Sequence, residues 1–322
     1  MKMPTLIATF AATLLVFAGA AAQTWPDRPI RIVVGAQPGA SGDTLTRLVA
    51  DKLSKALNQT VVVENRPGGG GTIGVRAGVT AKPDGYTLLS LYSDTLVVAP
   101  FLAKTPPYDA LKDLTYVGGF GRSSSFILAV NPAVPAQTFE EYIRLAKASP
   151  KPMTFSSYGL GSVPQLGFEM MAEKAGIQLL HVPYKGGAES YQAAVAGYVD
   201  AVAGTSFVEL LRSGRLRPLA IGGNRRSPLF PNVPTMSELG YGTQIFGPVT
   251  YSLAVPAGTP KDIVNRLAVE LKRITEQTDV AQKMATVASE PNWIPGDEYL
   301  DVLRQGVSLY EPVIRRLGLS TQ

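Results

Sequence analysis

The sequence contains no cysteine among its 322 residues and only one histidine, His181. The absence of cysteine excludes disulfide bonds, a lipid-anchored cysteine, thiol nucleophiles and thiolate metal sites. The single histidine excludes metal sites built from two or three imidazoles, and any Ser–His–acid triad would have to use it. A lone histidine at the end of a predicted strand is more often a hydrogen-bonded structural residue than a catalytic base, and we interpret His181 in that way.

Motifs that mark common enzyme sites are also missing. The chain has neither a G-x-S-x-G nucleophile elbow nor a G-x-x-x-x-G-K-[ST] phosphate loop. The segment PGGGGTIG, residues 67–74, meets a loose glycine count for dinucleotide binding, but no acidic residue follows a second strand at the expected position. Its adjacent glycines more simply indicate positive φ angles or close backbone contacts. We therefore predict no enzyme, no cofactor and no metal site.

The charge pattern argues against nucleic acid or a membrane surface as a partner. The formal net charge is +5, and 17% of the residues are charged. The densest basic spots, Arg225–Arg226 and Arg315–Arg316, are short. A nucleic-acid-binding protein would normally carry a basic stripe with interleaved aromatic residues, and this chain does not.

The amino terminus carries the one long apolar run, LIATFAATLLVFAGA, after the basic start MKMP. Together with the small residues Ala20–Ala22, this pattern is typical of a secretory signal peptide, expected over residues 1–22 with cleavage near Ala22. A retained membrane anchor is the less favoured alternative, because the run is short and interrupted by small residues. We therefore expect a soluble protein of the bacterial periplasm.

Beyond the signal, strand-like and helix-like segments alternate with short turns. IRIVV, for example, precedes the helical pattern TLTRLVADKLSKAL, and MTFSS precedes QLGFEMMAEKAG. This alternation predicts parallel βαβ units in an α/β fold with helices on both faces of each sheet. After about residue 250 the pattern changes to one strand followed by three helical segments. The length of the chain favours two lobes over one.

Two turns rich in glycine and serine separate a strand from the helix that follows it. The sequence predicts that the two turns correspond residue by residue: Gly159, Gly161 and Ser162 of the second turn align with Gly39, Ser41 and Gly42 of the first. A strand–turn–helix unit leaves backbone N–H groups unpaired, and they favour an anion. Neither turn contains lysine or arginine, so a carboxylate fits better than a phosphate. If the turns lie on separate lobes, both helix N-termini converge on one anion in the cleft.

Two residues of these turns have alternative interpretations. Asp43 is either a first-turn carboxylate that caps free N–H groups, which is the favoured interpretation, or a ligand contact to an amine or hydroxyl group. Tyr158 is either a wall of the cleft or a packed loop aromatic. Ser41 and Ser162 are expected to contact the ligand, because small hydroxyl groups in a glycine turn can point into a cleft.

Several blocks of the sequence resemble the Bug family, the periplasmic solute-binding proteins of tripartite tricarboxylate transporters. They are ENRPG, PDGYTLL, VPYKG, the RSP…VPT segment and PAGTP, and they come in the family's order over essentially the whole mature chain. The resemblance implies a two-lobed periplasmic-binding (Venus flytrap) fold with two crossovers between lobes, each lobe a mostly parallel sheet flanked by helices. Lobe 1 would comprise residues 25–123 and 248–322, and lobe 2 residues 124–247.

The resemblance also implies what the protein binds and where. The ligand would be a small organic carboxylate held mainly by backbone N–H groups, and the chain is expected to be a monomer. The implied partner is an inner-membrane pair of one large and one small multi-span subunit. The residues expected at the ligand site are Ala36, Gln37, Gly39, Ala40, Ser41, Gly42, Asp43, Ser93, Ser157, Tyr158, Gly159, Gly161, Ser162, Gly187 and Gly204.

Three positions depart from the family's usual pattern. Ala36 stands where the family usually has a bulky aromatic residue, Gln165 replaces a histidine, and Gly204 replaces a frequent acid. Ala36 and Gly204 would open space while Tyr158 adds a ring. We therefore hypothesise a ligand that is bulkier or more aromatic than a short dicarboxylate. Two other functions stay open: a sensing module for a signalling receptor, and a hydrolase that uses His181. The absence of other enzyme motifs disfavours the hydrolase.

Overall fold

The computed structural model describes residues 25–103, 105–205 and 207–319. The predicted signal peptide and its cleavage site lie outside the described residues. Within the described ranges, no helix combines the length and apolar character needed to cross a bilayer.

Eleven strands and eleven helices make up the described regular structure, together with one 3₁₀ turn at Gly69–Gly71. The strands are β1 (Ile30–Val34), β2 (Val61–Asn65), β3 (Thr87–Tyr92), β4 (Leu114–Ser123), β5 (Ile127–Val130), β6 (Met153–Ser157), β7 (Leu179–Pro183), β8 (Ala201–Gly204), β9 (Arg217–Ile221), β10 (Thr250–Pro256) and β11 (Ser289–Pro295). The helices are α1 (Ser41–Leu57), α2 (Thr72–Val79), α3 (Ser93–Val97), α4 (Ala99–Leu102), α5 (Phe139–Ala148), α6 (Val163–Ala175), α7 (Gly187–Val195), α8 (Val208–Arg212), α9 (Lys261–Thr275), α10 (Thr278–Ala285) and α11 (Gly296–Arg316).

The strands form two sheets, each of which is the centre of one lobe. The six-stranded sheet of lobe 1 has the order β11-β4-β10-β3-β1-β2, and the five-stranded sheet of lobe 2 has the order β7-β6-β8-β5-β9. Lobe 1 therefore takes its strands from two separate parts of the chain, and lobe 2 takes its strands from the part between them. The residue limits predicted for the lobes stay a prediction.

The expectation of mostly parallel sheets is correct for only part of each sheet. β1 pairs in parallel with β2 and β3, and β6 pairs in parallel with β7 and β8. The pairs of β10 with β3 and β4, of β11 with β4, and of β5 with β8 and β9 are antiparallel. Both sheets are therefore mixed. The reason is topological: β5 and β10 enter their sheets from a crossover between lobes and not from a βαβ unit.

The first βα unit shows why the sequence folds in this way. β1 alternates little and is buried on both faces, as a central strand covered by helices must be. α1 buries Leu45, Leu48, Val49 and Leu53, which lie on one face at helical spacing, against that strand. The helix ends at Asn58, which adopts a left-handed conformation and caps it.

The glycine-rich segment at residues 67–74 has the positive φ angles and close backbone contacts that its sequence predicts. Gly68, Gly69 and Gly71 have φ angles of 118°, 57° and 96°. A methyl group added at Gly35, in the turn after β1, would lie 2.8 Å from the Cα atom of Gly71. The segment is thus a close backbone crossing that supports the first turn, and this observation explains its glycines without a nucleotide.

The two crossovers between the lobes run side by side. The Ser123 N–H group donates to the Val249 carbonyl (2.8 Å), and the Phe126 N–H group donates to the Phe246 carbonyl (3.1 Å). The first crossover leaves lobe 1 at the carboxyl end of β4. It enters lobe 2 at Ile127, which is in register with Gly204 at the carboxyl end of β8. The carboxyl edges of the two sheets therefore face each other across the crossovers.

Gly222 tests how tightly this junction is packed. A methyl group added at Gly222 would overlap the Phe246 carbonyl oxygen, which is backbone and cannot rotate away. We expect Gly222→Ala to destabilise the protein by about 1–3 kcal/mol and to lower its melting temperature by several degrees. The measurement is thermal unfolding followed by circular dichroism.

The matched control is Gly186→Ala, because nothing lies within 4 Å of a methyl group added there. Its melting temperature should fall much less, by an amount set by its position at the N-cap of α7. Equal falls in the two variants would contradict a tightly packed crossover.

Candidate ligand-binding cleft

The first turn ends in a helix start whose backbone donors are free. Ala40 is the N-cap of α1, and the first helical hydrogen bond runs from the Thr44 N–H group to the Ala40 carbonyl (3.0 Å). The N–H groups of Ser41, Gly42 and Asp43 make no hydrogen bond with any described residue. The turn around them is exposed. Three donors at the positive end of a 17-residue helix form a site for an anion.

Asp43 holds this turn in shape. Its carboxylate accepts hydrogen bonds from the Gly39 N–H group (2.9 Å), from Arg47 Nε (3.0 Å) and from Asn65 Nδ2 (2.7 Å), and the residue is 3% exposed. Burial alone would raise its pKa, but the hydrogen bonds from Arg47, Gly39 and Asn65 hold the pKa below its ordinary value. Both carboxylate oxygens are therefore occupied within the lobe, which favours the structural interpretation of Asp43. Arg47 is committed to the same carboxylate (3.0 Å) and leaves the turn without a free cation.

The second turn repeats this construction on lobe 2. The Gly161 N–H group donates to Gln165 Oε1 (2.6 Å), as the Gly39 N–H group donates to Asp43, and both glycines have positive φ angles of 73° and 81°. Gly161 therefore corresponds to Gly39, and the N-cap Ser162 corresponds to Ala40. The predicted alignment of Gly161 and Ser162 with Ser41 and Gly42 was therefore wrong. The two turns correspond through this hydrogen bond, here called the brace, from the glycine N–H group to the side chain four residues later. The spacing of small residues in the sequence does not give that correspondence.

The second turn offers fewer donors than the first. Pro164 has no N–H group, and the Ser162 N–H and hydroxyl groups both donate to the Gly159 carbonyl (3.3 and 2.7 Å). In the first turn of α6, the N–H groups of Val163 and Gln165 make no hydrogen bond with any described residue, and both residues are buried. The first turn is therefore the stronger anion site of the two.

Ser157 and His181 support the second turn through hydrogen bonds. Ser157 is fully buried; its hydroxyl donates to the Gly159 carbonyl (3.0 Å) and lies 2.7 Å from His181 Nε2. The His181 ring stacks on Phe155 at 5.0 Å, and burial lowers its pKa to about 4, so the ring is neutral at pH 7. The predicted ligand contact of Ser157 is thus not accessible in this conformation, and His181 has the structural surroundings expected for it.

The remaining predicted positions lie at the same carboxyl edges. The Ser93 hydroxyl accepts from the Thr250 N–H group (3.1 Å) at the second crossover. The Ala36 carbonyl accepts from Asn65 Nδ2 (3.1 Å), and Gln37, also in this turn, is exposed. These contacts fix the backbone on the lobe 1 side of the cleft.

Gly187 and Gly204 both pack against one tyrosine. A methyl group added at Gly204 would overlap the Tyr191 ring, and one added at Gly187 would lie 3.1 Å from the Tyr191 hydroxyl. The expectation that Gly204 opens space for a bulky ligand is therefore wrong. Tyr191 fills that space, and the hypothesis of an aromatic ligand keeps only Ala36 and Tyr158 as support.

Two residues at the carboxyl end of β3, Tyr92 and Asp94, were missed by the sequence analysis. The Tyr92 hydroxyl is buried without a hydrogen-bond partner in the described structure, and a methyl group added at Gly42 would overlap it. Asp94 is half-buried at the start of α3, and it accepts from the Thr95 N–H group at 2.8 Å. Their position at the end of a predicted strand could have identified them, because ligands of open α/β sheets bind beyond the carboxyl ends of strands.

The lobes are in contact on one side of the cleft. A methyl group added at Gly161 would overlap the Leu102 side chain of α4, and Leu166 of α6 packs in one hydrophobic cluster with α3 and α11. The second turn therefore lies directly against lobe 1. No cluster of three or more acids and histidines that could hold a metal occurs among the described residues.

Comparison with protein families identifies relatives over nearly the whole chain. The family model described as "Tripartite tricarboxylate transporter family receptor" matches residues 45–319. A UPF0065 protein from the gbd 5′ region of Cupriavidus necator is 36% identical over 304 residues, 94% of this chain and 91% of that protein. Protein BugT of Bordetella pertussis is 33% identical over 320 residues, 98% of each chain.

Solved structures share the fold. The periplasmic binding protein BugD is 27% identical with a TM-score of 0.73, over 92% of this chain and 100% of that chain. Rpa4515 of R. palustris, solved with adipate, is 26% identical with a TM-score of 0.76, over 91% and 98% of the two chains. MatC of Rhodopseudomonas palustris, solved with bound malate, is 26% identical with a TM-score of 0.71, over 90% and 100%. The predicted two-lobed α/β fold is confirmed.

The buried His181 predicts a specific pH dependence of stability. Because its pKa is lowered from 6.5 to about 4 in the folded protein, the unfolded chain binds the extra proton first as the pH falls. The contribution of this residue to stability is complete above pH 6.5 and is lost as the pH falls toward 4. We expect His181→Gln, whose amide can keep the bond to Ser157, to weaken the dependence of unfolding free energy on pH in that window.

The measurement is urea unfolding at several pH values for both proteins. The difference in slope should stay below about 1.4 kcal/mol per pH unit, the value for one full proton, because one histidine can exchange at most one proton. Identical slopes for the two proteins would show that His181 titrates normally.

Proposed function

The chain belongs to the tripartite tricarboxylate transporter receptor family, and from this premise we propose that it is a periplasmic binding protein that captures a small organic carboxylate between its two lobes. The family resemblance expected from the sequence is confirmed. Family members are binding proteins and not enzymes, as predicted, so the alternative of a hydrolase that uses His181 is rejected.

The observation that carries this proposal is the free amino-terminal turn of α1. The N–H groups of Ser41, Gly42 and Asp43 have no partner in the described structure, while the braces of Asp43 hold the turn in place. A carboxylate has two oxygens that can accept from these donors, and the helix dipole favours its charge. With Arg47 committed to Asp43, the turn recognises an anion through backbone groups and not through a cationic side chain.

The second turn completes the site when the lobes close. It carries a second helix N-terminus on the opposite carboxyl edge, and its Gly161 already contacts Leu102 of lobe 1. Motion would occur at the paired crossovers, near residues 119–125 and 244–250, where the chain changes lobes. The ligand would thus enter at the first turn and be enclosed by the second.

The transport role follows from the family and not from the cleft alone. Proteins of this family bind small carboxylates and work with tripartite transporters. We propose export to the periplasm by the signal peptide at residues 1–22 and delivery of the ligand, by a monomer, to a large and a small inner-membrane subunit. A role in sensing would use the same capture step but a different partner.

The ligand class is supported by relatives that hold such acids. Adipate and malate, in Rpa4515 and MatC, are small carboxylates. From these relatives we adopt only the carboxylate group for the ligand of this chain. The rest of the ligand is to be identified by experiment. The screen is a thermal-shift measurement of the chain from Gln23, refolded from denaturant, against mono-, di- and aromatic carboxylates. A ligand at about 100 times its dissociation constant should stabilise the protein by about 2.7 kcal/mol.

Ser41→Pro tests the role of the backbone donors directly. Ser41 is the first residue of α1, where proline is well tolerated, and the preceding Ala40 has φ and ψ of −67° and 158°, which proline also allows. The variant therefore loses one N–H group while it keeps the helix. We expect carboxylate affinity to fall about 10- to 100-fold, the value of one hydrogen bond to a charged group. The measurement is isothermal titration calorimetry with a carboxylate found in the screen.

Two variants complete this experiment. Ser41→Ala keeps the N–H group and should weaken binding less than Ser41→Pro does. Thr278→Pro places proline at the first position of α10, away from the cleft, and should leave affinity unchanged. A Ser41→Pro variant that folds and binds like the unmodified chain would contradict anion capture by this turn.

A further inference from the structure

Asp94 is an acid placed at the edge where the ligand is proposed to bind. It is the second residue of α3, directly after the carboxyl end of β3, and β3 is the neighbour of β1 in the sheet. The proposed anion site follows β1. Asp94 and the first turn therefore lie at adjacent strand ends, on the same edge of the lobe 1 sheet.

The Asp94 carboxylate has no cationic partner among the described residues. Its Oδ1 atom accepts from the Thr95 N–H group (2.8 Å), and removal from water raises its pKa with no opposing lysine, arginine or histidine. Asp43, its counterpart after β1, is by contrast paired with Arg47. A carboxylate withdrawn from water without a positive partner is costly, and such groups are concentrated at functional sites.

Tyrosines of both lobes lie within electrostatic range of this carboxylate. The charge of Asp94 adds to the rise in phenol pKa that burial causes in six of them: Tyr92, Tyr108, Tyr158, Tyr251, Tyr299 and Tyr310. Five belong to lobe 1 and Tyr158 belongs to lobe 2. The carboxylate is thus close enough to the second turn to act on the residue beside it.

Three of these tyrosines are partly accessible to solvent. Tyr92, Tyr158 and Tyr310 are half-buried, as Asp94 is, and each packs against a different hydrophobic cluster. Tyr92 and Tyr310 belong to lobe 1 and Tyr158 belongs to lobe 2. Tyrosine faces attract cations, so their rings and the carboxylate favour the same kind of group.

One side chain links this pocket to the proposed anion site. The buried Tyr92 hydroxyl lies against Gly42 of the first turn, and the charges of Asp94 and Asp43 both act on it. The free N–H groups of the first turn and the unpaired carboxylate of Asp94 are therefore separated by about one tyrosine side chain. A single small molecule can reach both.

We propose that the ligand is an aminocarboxylate, whose carboxylate binds the first turn and whose ammonium group binds Asp94 between the tyrosine rings. This inference rests on the proposed function and adds the second group of the ligand. A dicarboxylate of the same length would place its second negative charge against Asp94. The site therefore selects an amine where adipate and malate carry a second acid.

The test compares probes that differ only at the second group. Refolded protein is titrated calorimetrically with 5-aminopentanoate, L-norvaline, pentanoate and glutarate, and with L-phenylalanine and 3-phenylpropanoate for an aromatic scaffold. We expect an amino acid in at least one set to bind about 10- to 100-fold more tightly than its parent acid, and more tightly than the dicarboxylate.

The variant Asp94→Asn identifies the group responsible. It should remove the advantage of the amine, leave the parent acid unchanged and strengthen the binding of glutarate. Asp279→Asn, an exposed acid paired with Lys52 on the far side of lobe 1, is the matched control and should change none of these affinities. The melting temperature of unliganded Asp94→Asn should equal or exceed that of the unmodified chain, because an unpaired charge is removed.

The outcomes separate the two proposals. Suppose that each amino acid binds no more tightly than its parent acid, both to the unmodified chain and to Asp94→Asn. That result would overturn the aminocarboxylate proposal but would leave the proposal of carboxylate capture intact. Tight binding of glutarate by the unmodified chain would also overturn the aminocarboxylate proposal and leave carboxylate capture intact. If no probe binds and the wider carboxylate screen also fails, capture of a carboxylate is itself overturned.

Discussion

The hydrogen bonds between the two crossovers are the constraint on which the rest of the molecule depends. The Ser123 N–H group bonds to the Val249 carbonyl, and the Phe126 N–H group bonds to the Phe246 carbonyl, so the chain leaves and re-enters lobe 1 at one place. Because the first crossover joins the carboxyl edge of one sheet to the carboxyl edge of the other, the helices that begin at those edges must start toward each other. One helix N-terminus from each lobe on either side of the proposed cleft follows from this connection.

The braces within the turns explain how such a site can bind an anion without a cationic side chain. Asp43 and Gln165 stand at the same position of their helices, and each accepts from the glycine N–H group four residues earlier. The turn is therefore fixed before a ligand arrives, so less conformational entropy is lost on binding. One brace is charged and the other neutral, and the charge of Asp43 is balanced by Arg47. The free N–H groups are then left as the positive end of the site.

Local features of this structure could be predicted from the sequence, and features set by distant residues could not. The buried face of α1 and the glycine crossing at residues 68–71 follow from spacing and from the conformational freedom of glycine. The direction of β5 and β10 does not, because each enters its sheet through a crossover. The space beside Gly204 was misjudged for the same reason: the ring that fills it belongs to Tyr191, thirteen residues earlier in the chain. Asp94 carries no such local signature, because the glycine turns predict donors for an anion whereas Asp94 is an acceptor.

The arrangement of charge on the lobe 1 side of the proposed cleft gives a physical reason for selectivity. The first turn presents partial positive charge on free N–H groups, and Asp94 presents a carboxyl group, an acceptor that is negative when ionised, without a cationic partner in the described structure. These two charges are opposite in sign and lie at neighbouring strand ends, so the site has a fixed dipole. A zwitterion aligned with that dipole gains at both ends, whereas a dicarboxylate gains at one end and is repelled at the other. In this chain the backbone groups of the first turn would hold the carboxylate, and the residue that follows the neighbouring strand would select the second group of the ligand.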